Sequence, residues 1–356
     1  VCFHFDIKMK ANVLYNIGEL RCTDIPKPIL KSNEVLVKVR AAGICGSDVA
    51  RVFKTGTYSF PTIIGHEFSG EVCEVKEKGD SLWIGKRVSV FPLKPCFQCS
   101  NCKRGTYELC ANYDYLGSRC DGGFAEYVAV PIWNLLEIPD TVNFETAAMM
   151  EPASVAMHAL RQSNFKKGDT VAVIGPGTIG MILCRLLLLF GAKKVWLIGR
   201  SQVKLDFAQK YGIKDTFNST LSDAAQWIQE QAEGDGIDIV FEGTGAPASL
   251  NMGLDIVKSS GEIIALGNPI SDMVLNKKSY WKLLRKQLHI CGTWNSRFGT
   301  SDNDWNGVMS LLKTRELDLS SLITHRLSLD ELLTGLNIMR DNTIYSNKVM
   351  IINDEK

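Results

Sequence analysis

One stretch of this chain limits its fold more than any other. Val171-Ala172-Val173-Ile174 is a short apolar run, and Gly175-Pro176-Gly177-Thr178-Ile179-Gly180 follows it at once. A continuous apolar run of that length suits a strand buried on both faces of a parallel sheet. The glycine pattern opens an apolar helix from Ile179 to Phe190, closed by Gly191 at its C-terminal cap. Strand, tight turn and helix in that order make a cradle for a pyrophosphate. Gly175 permits the turn, Gly177 lets phosphate reach the backbone, Gly180 lets helix and sheet approach, and the helix N-terminus supplies amide donors.

The rhythm repeats downstream. Strands are expected at Val195–Ile198, near Thr216, and at Ile237–Phe241, Glu262–Leu266 and Leu288–Gly292. Helices Lys204–Tyr211, Leu221–Ala232 and Ser249–Val257 fall between them. Two βαβαβ halves of this kind form an α/β, doubly wound parallel sheet with right-handed crossovers.

The N-terminal part is different. From Lys10 to about Val90, short alternating runs such as Val35–Val39 and Glu71–Val75 are punctuated by Gly and Pro, as in a β-rich domain. Asp121 to Pro131 reads as a turn feeding a strand. A helical run from Thr146 to Leu160 contains Glu151-Pro152, where the proline should kink or restart the helix. After Trp294 the alternation lapses. Ser328 to Glu331 is a capping-box start for a helix to about Arg340, and Lys348–Ile352 reads as a strand. The tail is expected to return to the first domain. That gives a discontinuous domain of residues 9–155 and 295–356, and a dinucleotide-binding domain of residues 156–294. Residues 1–8, ahead of Met9, are expected to be a leader or tag remnant, since they lack the apolar core and cleavage site of an export signal.

Composition excludes some classes of function. With 40 Lys+Arg against 39 Asp+Glu, no nucleic acid is expected as a partner. No membrane partner is expected either, because the most apolar run, Met181 to Phe190, is too short to span a bilayer. Eleven cysteines with four in a tight cluster, and no export signal, read as metal binding in a cytoplasmic protein and not as a disulfide frame.

Cys96, Cys99, Cys102 and Cys110 are spaced x2, x2 and x7. Four thiolates can surround one tetrahedral zinc and leave it no open position, so this site should be structural. An iron–sulfur cluster is the other metal option, but nothing else here reads as electron transfer. A second group is scattered. Cys45, His66, Glu67 and the remote Glu151 offer a thiolate, an imidazole and two carboxylates to one ion. Three protein ligands with one open position make a catalytic zinc. Taken singly, each of these residues has an ordinary structural reading; their joint occurrence ahead of a dinucleotide fold points to a site. Two zinc ions per chain are expected.

The end of the second parallel strand bears on the cofactor. An NAD site usually carries Asp or Glu there, bonded to the ribose 2′-hydroxyl. Here Ile198 is followed by Gly199-Arg200-Ser201. Gly leaves room for a 2′-phosphate and Arg can clamp one, so NADP(H) is expected over NAD(H).

These residues carry a family resemblance. The chain resembles the zinc-dependent medium-chain alcohol and sorbitol dehydrogenases from about Met9 to its end, and within them the polyol group. The resemblance rests on Cys45-Gly46-Ser47-Asp48, Gly65-His66-Glu67, the four-cysteine lobe, Gly117-Ser118 with Asp121 to Tyr127, Glu151-Pro152 and Gly175 to Gly180. It implies a GroES-like β-rich catalytic domain plus a Rossmann domain, with the active site in the cleft between them. It also implies a catalytic zinc held by Cys45, His66 and either Glu67 or Glu151, with Asp48 accepting from the His66 ring. Cofactor contacts are implied at Leu266, Gly267, Thr293 and Trp294, and assembly as a homodimer or homotetramer. Two departures stand out: the missing acid at Gly199, and Ala50 where the family's proton relay often ends on histidine.

The chemistry expected is hydride transfer from a carbinol carbon, which proceeds readily only once the hydroxyl is ionised. Zinc lowers the pKa of bound water from 15.7 to about 7, a shift worth roughly 12 kcal/mol at 1.36 kcal/mol per unit. Ser47 is expected to take the hydroxyl proton. Arg51, Lys54 and Tyr58 could line the mouth of the site, and Arg297 the nicotinamide end; basic groups there would suit a sugar-alcohol phosphate. The expected function is therefore a zinc-dependent polyol or polyol-phosphate dehydrogenase. The alternatives are a threonine- or butanediol-type secondary-alcohol dehydrogenase and, from another class, a non-catalytic NADPH-binding protein.

Overall fold

The computed structural model describes residues 8–231, 236–269, 271–341 and 344–353. The expected leader up to Ile7, and Ala232 at the end of one expected helix, lie outside the described residues. The chain divides into two compact units, one running to Glu151 and resuming at Arg297, the other Pro152–Ser296.

The first unit is built on strand Glu34–Gly43. Its alternation is strong enough that Val35, Val37 and Val39 are all buried. Strand Glu67–Val75 pairs with it antiparallel, with Gly43 opposite Glu67. Tyr127–Pro131 pairs along its first half, and Lys348–Ile352 joins its far end with Met350 opposite Gly43. The last of these brings the C-terminal chain into the same sheet as the Cys45 loop. Beneath lie Phe68, Val72, Val88, Val90, Phe124, Val349 and Ile351. A strand at Ile323–Ser328, parallel to Lys348–Ile352, was not expected from the sequence. It is an edge strand carrying His325 and Arg326, so its apolar alternation is weak. Helix Asp304–Lys313 was also unexpected; Asn303 caps it, accepting from the Asn306 N–H at 2.8 Å.

The helical run across Thr146–Leu160 proves to be two helices, Phe144–Ala148 and Met150–Gln162. Pro152 sits in the first turn of the second, where a missing N–H costs nothing. The proline thus restarts the helix and does not kink it.

The second unit holds six parallel strands: Thr170–Ile174, Lys194–Gly199, Asp215–Asn218, Ile237–Glu242, Val257–Ala265 and His289–Gly292. Counted along the chain, their order in space is third, second, first, fourth, fifth, sixth. That is the doubly wound order whose crevice for a dinucleotide lies at the carboxyl ends of the strands. The fifth strand begins at Val257, upstream of the expected Glu262, across an irregularity in its register with the fourth. Helix Lys277–Arg285 was not anticipated, because its four basic residues mask a thin apolar stripe. Among the described residues no helix is long and apolar enough to cross a membrane.

Candidate active site and metal centres

The four-cysteine lobe is made locally. Its sulfurs lie 4.0 Å apart for Cys96 and Cys102, 3.6 Å for Cys99 and Cys102, and 3.9 Å for Cys99 and Cys110. Sulfurs placed about 2.3 Å from a common tetrahedral centre stand about 3.8 Å apart. The thiols therefore fit one ion, and none of these pairs approaches the ~2.05 Å of a disulfide. Cys96 Sγ accepts from the Cys99 N–H at 3.4 Å, and Cys110 Sγ from the Cys96 N–H at 3.2 Å. Backbone N–H donors of Cys102 and Ala111 bring the Cys99 thiol down to about 6, whereas burial pushes Cys102 up to about 12.

Rings seat this lobe on its unit. Trp133 lies 5.1 Å from both Phe97 and Tyr107 and 5.3 Å from Phe298. Arg297, expected near substrate, instead points its Nε and Nη2 at buried Glu108 of the lobe, both at 3.4 Å from Oε1.

The second centre is assembled from remote pieces. Cys45 lies two residues beyond strand Glu34–Gly43, at the start of helix Gly46–Ala50, which runs on as a wider π turn over Arg51–Thr55. His66 immediately precedes strand Glu67–Val75. The pairing of Gly43 with Glu67 therefore sets the two ligand loops side by side. Donor atoms of Cys45, His66 and Glu67 all lie within 4.8 Å of one another. A Cβ at position 43 would stand 2.3 Å from Glu67 Oε2, so glycine is what lets that carboxylate lie across the strand end. Glu151 is close enough to interact electrostatically with His66 and Glu67 but falls outside this trio; its Oε1 accepts from the Tyr115 hydroxyl at 3.2 Å.

Asp48 is fully buried and organises the loop. Its Oδ2 accepts from the Cys45 N–H at 3.0 Å, and its Oδ1 from Arg51 Nη1 at 3.2 Å. His66 Nδ1 is 3.4 Å from Oδ1, beyond a well-formed hydrogen bond and with no other partner. That places Nδ1 toward Asp48 and leaves Nε2 available to a metal. Arg51 Nη1 also donates to Ser47 Oγ at 2.9 Å. Arg51 is thus engaged by the loop through Nη1. Lys54 and Tyr58 are exposed.

Lys348, which the sequence reading passed over, is buried against the centre. Its ammonium contacts Glu67 Oε2 and donates to the Ile44 carbonyl at 3.2 Å. Burial opposes its charge, but Glu67, with Cys45 and Glu151, holds its pKa above the usual lysine value. Burial likewise opposes charge on His66 and Asp48. Their mutual attraction wins, raising His66 well above and lowering Asp48 below the ordinary values, with Arg51 also favouring the Asp48 carboxylate. Burial, reinforced by Glu67, pushes Glu151 up to about 7 against the pull of His66 and Lys348.

The donor chemistry fits a metal: a thiol sulfur, an imidazole nitrogen and a carboxylate oxygen converge within 4.8 Å, the donor types that zinc takes. A divalent cation there would stand in for the protons that His66 and Glu151 otherwise hold.

In the second unit the glycine loop has the form a dinucleotide needs. Gly175 has φ +121°, and a Cβ at Gly180 would lie 2.1 Å from the Gly175 carbonyl, so both are required by the turn itself. A Cβ at Gly177 would meet nothing within 4 Å, so no protein contact demands glycine there. Gly199 has a packing cause beside the cofactor argument: its Cβ would sit 2.5 Å from the Pro176 ring. Arg200 beside it is exposed. Leu266 and Gly267 follow the fifth strand, each N–H donating to the Glu242 carbonyl at 2.9 Å. After the sixth, Thr293 N–H donates to the Ala265 carbonyl at 3.1 Å, and half-exposed Trp294 follows. Thr293 Oγ1 and Asn295 Nδ2 are buried without partners, the pattern left by a missing polar ligand.

Two sequence families match the chain: "Alcohol dehydrogenase GroES-like domain" over residues 31–140 and "Zinc-binding dehydrogenase" over residues 178–314. The chain is 34% identical to galactitol 1-phosphate 5-dehydrogenase of Escherichia coli (strain K12), covering 97% of this chain and 100% of that protein. The crystal structure of galactitol-1-phosphate dehydrogenase from Escherichia coli superposes with a TM-score of 0.90 at 34% identity, covering 97% and 100%. A putative zinc-binding dehydrogenase from Sinorhizobium meliloti 1021, solved bound to NADP, gives 0.89 at 29% identity, covering 98% and 100%.

Proposed function

The chain belongs to the zinc-binding alcohol dehydrogenases that carry a GroES-like domain, and from that premise we propose that it interconverts a secondary alcohol of a polyol or polyol phosphate and the matching ketose, with a nicotinamide cofactor as hydride partner. The observation that carries the reading is the convergence of Cys45, His66 and Glu67, whose donor atoms lie within 4.8 Å of one another. We assign one zinc to these three residues, with Glu151 close enough to exchange for Glu67, and a second zinc to the four-cysteine lobe. When bound at the first site, zinc supplies a Lewis acid that acidifies a hydroxyl or polarises a carbonyl.

The residues around it have separate tasks. Asp48 fixes the His66 tautomer. Arg51 holds Ser47 Oγ, which leaves Ser47 one lone pair and its own O–H for the substrate hydroxyl and the next carrier of the proton. Arg51 itself cannot carry that proton, because guanidinium does not deprotonate in proteins. Ala50, three residues on, has no group to take the proton, so with a cofactor bound Ser47 would have to pass it to the cofactor ribose and water. Gly175 to Gly180 receive the pyrophosphate, and Thr293 and Asn295 offer unsatisfied polar atoms to the nicotinamide end.

We infer NADP(H) over NAD(H), because the second strand ends in Gly199-Arg200 and the Pro176 ring leaves no room for an acid at 199. The test is a panel of polyols, threonine and 2,3-butanediol, each with NAD and NADP, read at the nicotinamide band alongside metal content. Two zinc ions per chain and turnover of polyols are expected. Turnover of threonine alone overturns the substrate class, and a higher kcat/KM with NAD overturns the cofactor.

A further inference from the structure

We propose that Arg119 is the anion-binding residue of the substrate site and takes the phosphate of a polyol phosphate. This rests on the dehydrogenase reading of the Cys45–His66 centre and names the substrate class for it. The guanidinium of Arg119 lies 4.0 Å from the ring centre of Tyr58 and 4.4 Å from that of Tyr113. Two rings thus pack against the cation. Ring faces accept no in-plane hydrogen bonds, so the donor edges of the guanidinium remain to be used. Nε is buried with no partner, and among the described residues no carboxylate pairs with this side chain. A guanidinium held between ring contacts and paired with no carboxylate suits bidentate bonds to phosphate oxygens.

The place of this cation connects it to the metal centre. Arg119 N–H donates to the Tyr115 carbonyl at 2.9 Å, and Tyr58 N–H to the Ser118 carbonyl at 3.2 Å, so two loops fix the sandwich. Tyr113 meets the Tyr115 ring at 6.3 Å, and Tyr115 in turn lies 5.8 Å from the His66 ring while its hydroxyl reaches Glu151. A line of rings therefore runs from the ligand histidine to the open guanidinium. The other basic candidates are committed elsewhere, Arg51 to Asp48 and Ser47, Arg297 to Glu108. The polyol chain lies along Tyr115, and its phosphate ends at Arg119.

The experiment compares binding of galactitol 1-phosphate and galactitol to the zinc-loaded chain by calorimetry, in wild type, Arg119→Gln and Arg119→Met. A charge-assisted bidentate contact should favour the phosphorylated polyol about 10- to 100-fold in Kd, and both variants should bring that ratio close to one. Either variant suffices if the other does not fold. A wild-type ratio near one, an unchanged ratio in a variant, or equal loss of both ligands overturns the proposal; the last would mean that Arg119 only fastens the two loops. Inorganic phosphate and NADP are titrated separately. If Arg119→Gln weakens NADP and leaves the polyol ratio intact, the anion held is the cofactor's and the proposal falls. Turnover is read apart from binding: a zinc-loaded chain that keeps the ratio but oxidises neither polyol supports the anion site and counts against the dehydrogenase reading.

Discussion

Two sulfur-bearing centres lie in the same unit and are built in opposite ways. The lobe draws all four donors from Cys96 to Cys110, and its cage is shaped by N–H to sulfur bonds of its own backbone. The other centre takes Cys45 and His66 from two paired strand ends, Glu151 from a helix, and a neutralising ammonium 281 residues from its partner carboxylate. Four thiolates would saturate one ion, whereas the proposed trio would leave a position for substrate. A local cage can hold metal whatever the rest of the sheet does. The dispersed centre exists only when the C-terminal strand has closed on Gly43, so its chemistry depends on the complete unit.

If that contrast is right, damage to the dispersed centre should cost most. Cys45→Ser removes one of the three ligands proposed for the activating ion. It should lower kcat/KM by about a thousandfold or more, since Lewis-acid stabilisation is worth several kcal/mol, while metal falls by one per chain. Loss of both ions would break the separation of the centres. Lys348→Met comes next. It strands the buried Glu67 charge and should cost about 3–5 kcal/mol in urea unfolding of the metal-free chain. Zinc should recover part of that loss by taking up the Glu67 charge. An equal loss with and without zinc would show that Glu67 does not face the ion. Asp48→Asn should weaken zinc at this centre about 10- to 100-fold, read by competition with a chelator.

The same contrast explains what the sequence disclosed. The lobe was legible because its spacing is its geometry. The glycine loop was legible because Ile174 and the helix beginning at Thr178 bracket it within one motif. Cys45, His66 and Glu67 could be named as a set, but nothing in local patterning ties Lys348 to them. It opens an apolar strand, and only the pairing of Met350 with Gly43 reveals what its ammonium faces. Arg297 was misdirected for a related reason. It follows the last parallel strand, yet the chain has already turned to the lobe, where Glu108 is buried and needs a cation. Arg119 carries no pattern signal at all, because its neighbours Tyr58 and Tyr113 come from different loops. Edge strand Ile323–Ser328 was hidden by its polar face.

The smallest effect on global stability should come from the centre that is easiest to read. Cys99→Ser removes one of four donors and should release the lobe ion, leaving the ion among Cys45, His66 and Glu67 in place. With its ion gone, the segment from Cys96 to Cys110 loses the contacts that hold its sulfurs together, and local opening needs no rearrangement of the sheet core. Trp133 reports on this directly, since Phe97 and Tyr107 of the lobe pack on its ring. The expected result is a change in tryptophan emission and new protease cuts confined to residues 96–110, with a urea midpoint that falls less than it does for Lys348→Met. Phe91, Phe298 and Trp305 still pack together on the unit's side of Trp133, which is why the core should hold. Should the midpoint instead fall as far as it does for Lys348→Met, the lobe is not a separable clip but part of the same cooperative structure as the catalytic centre.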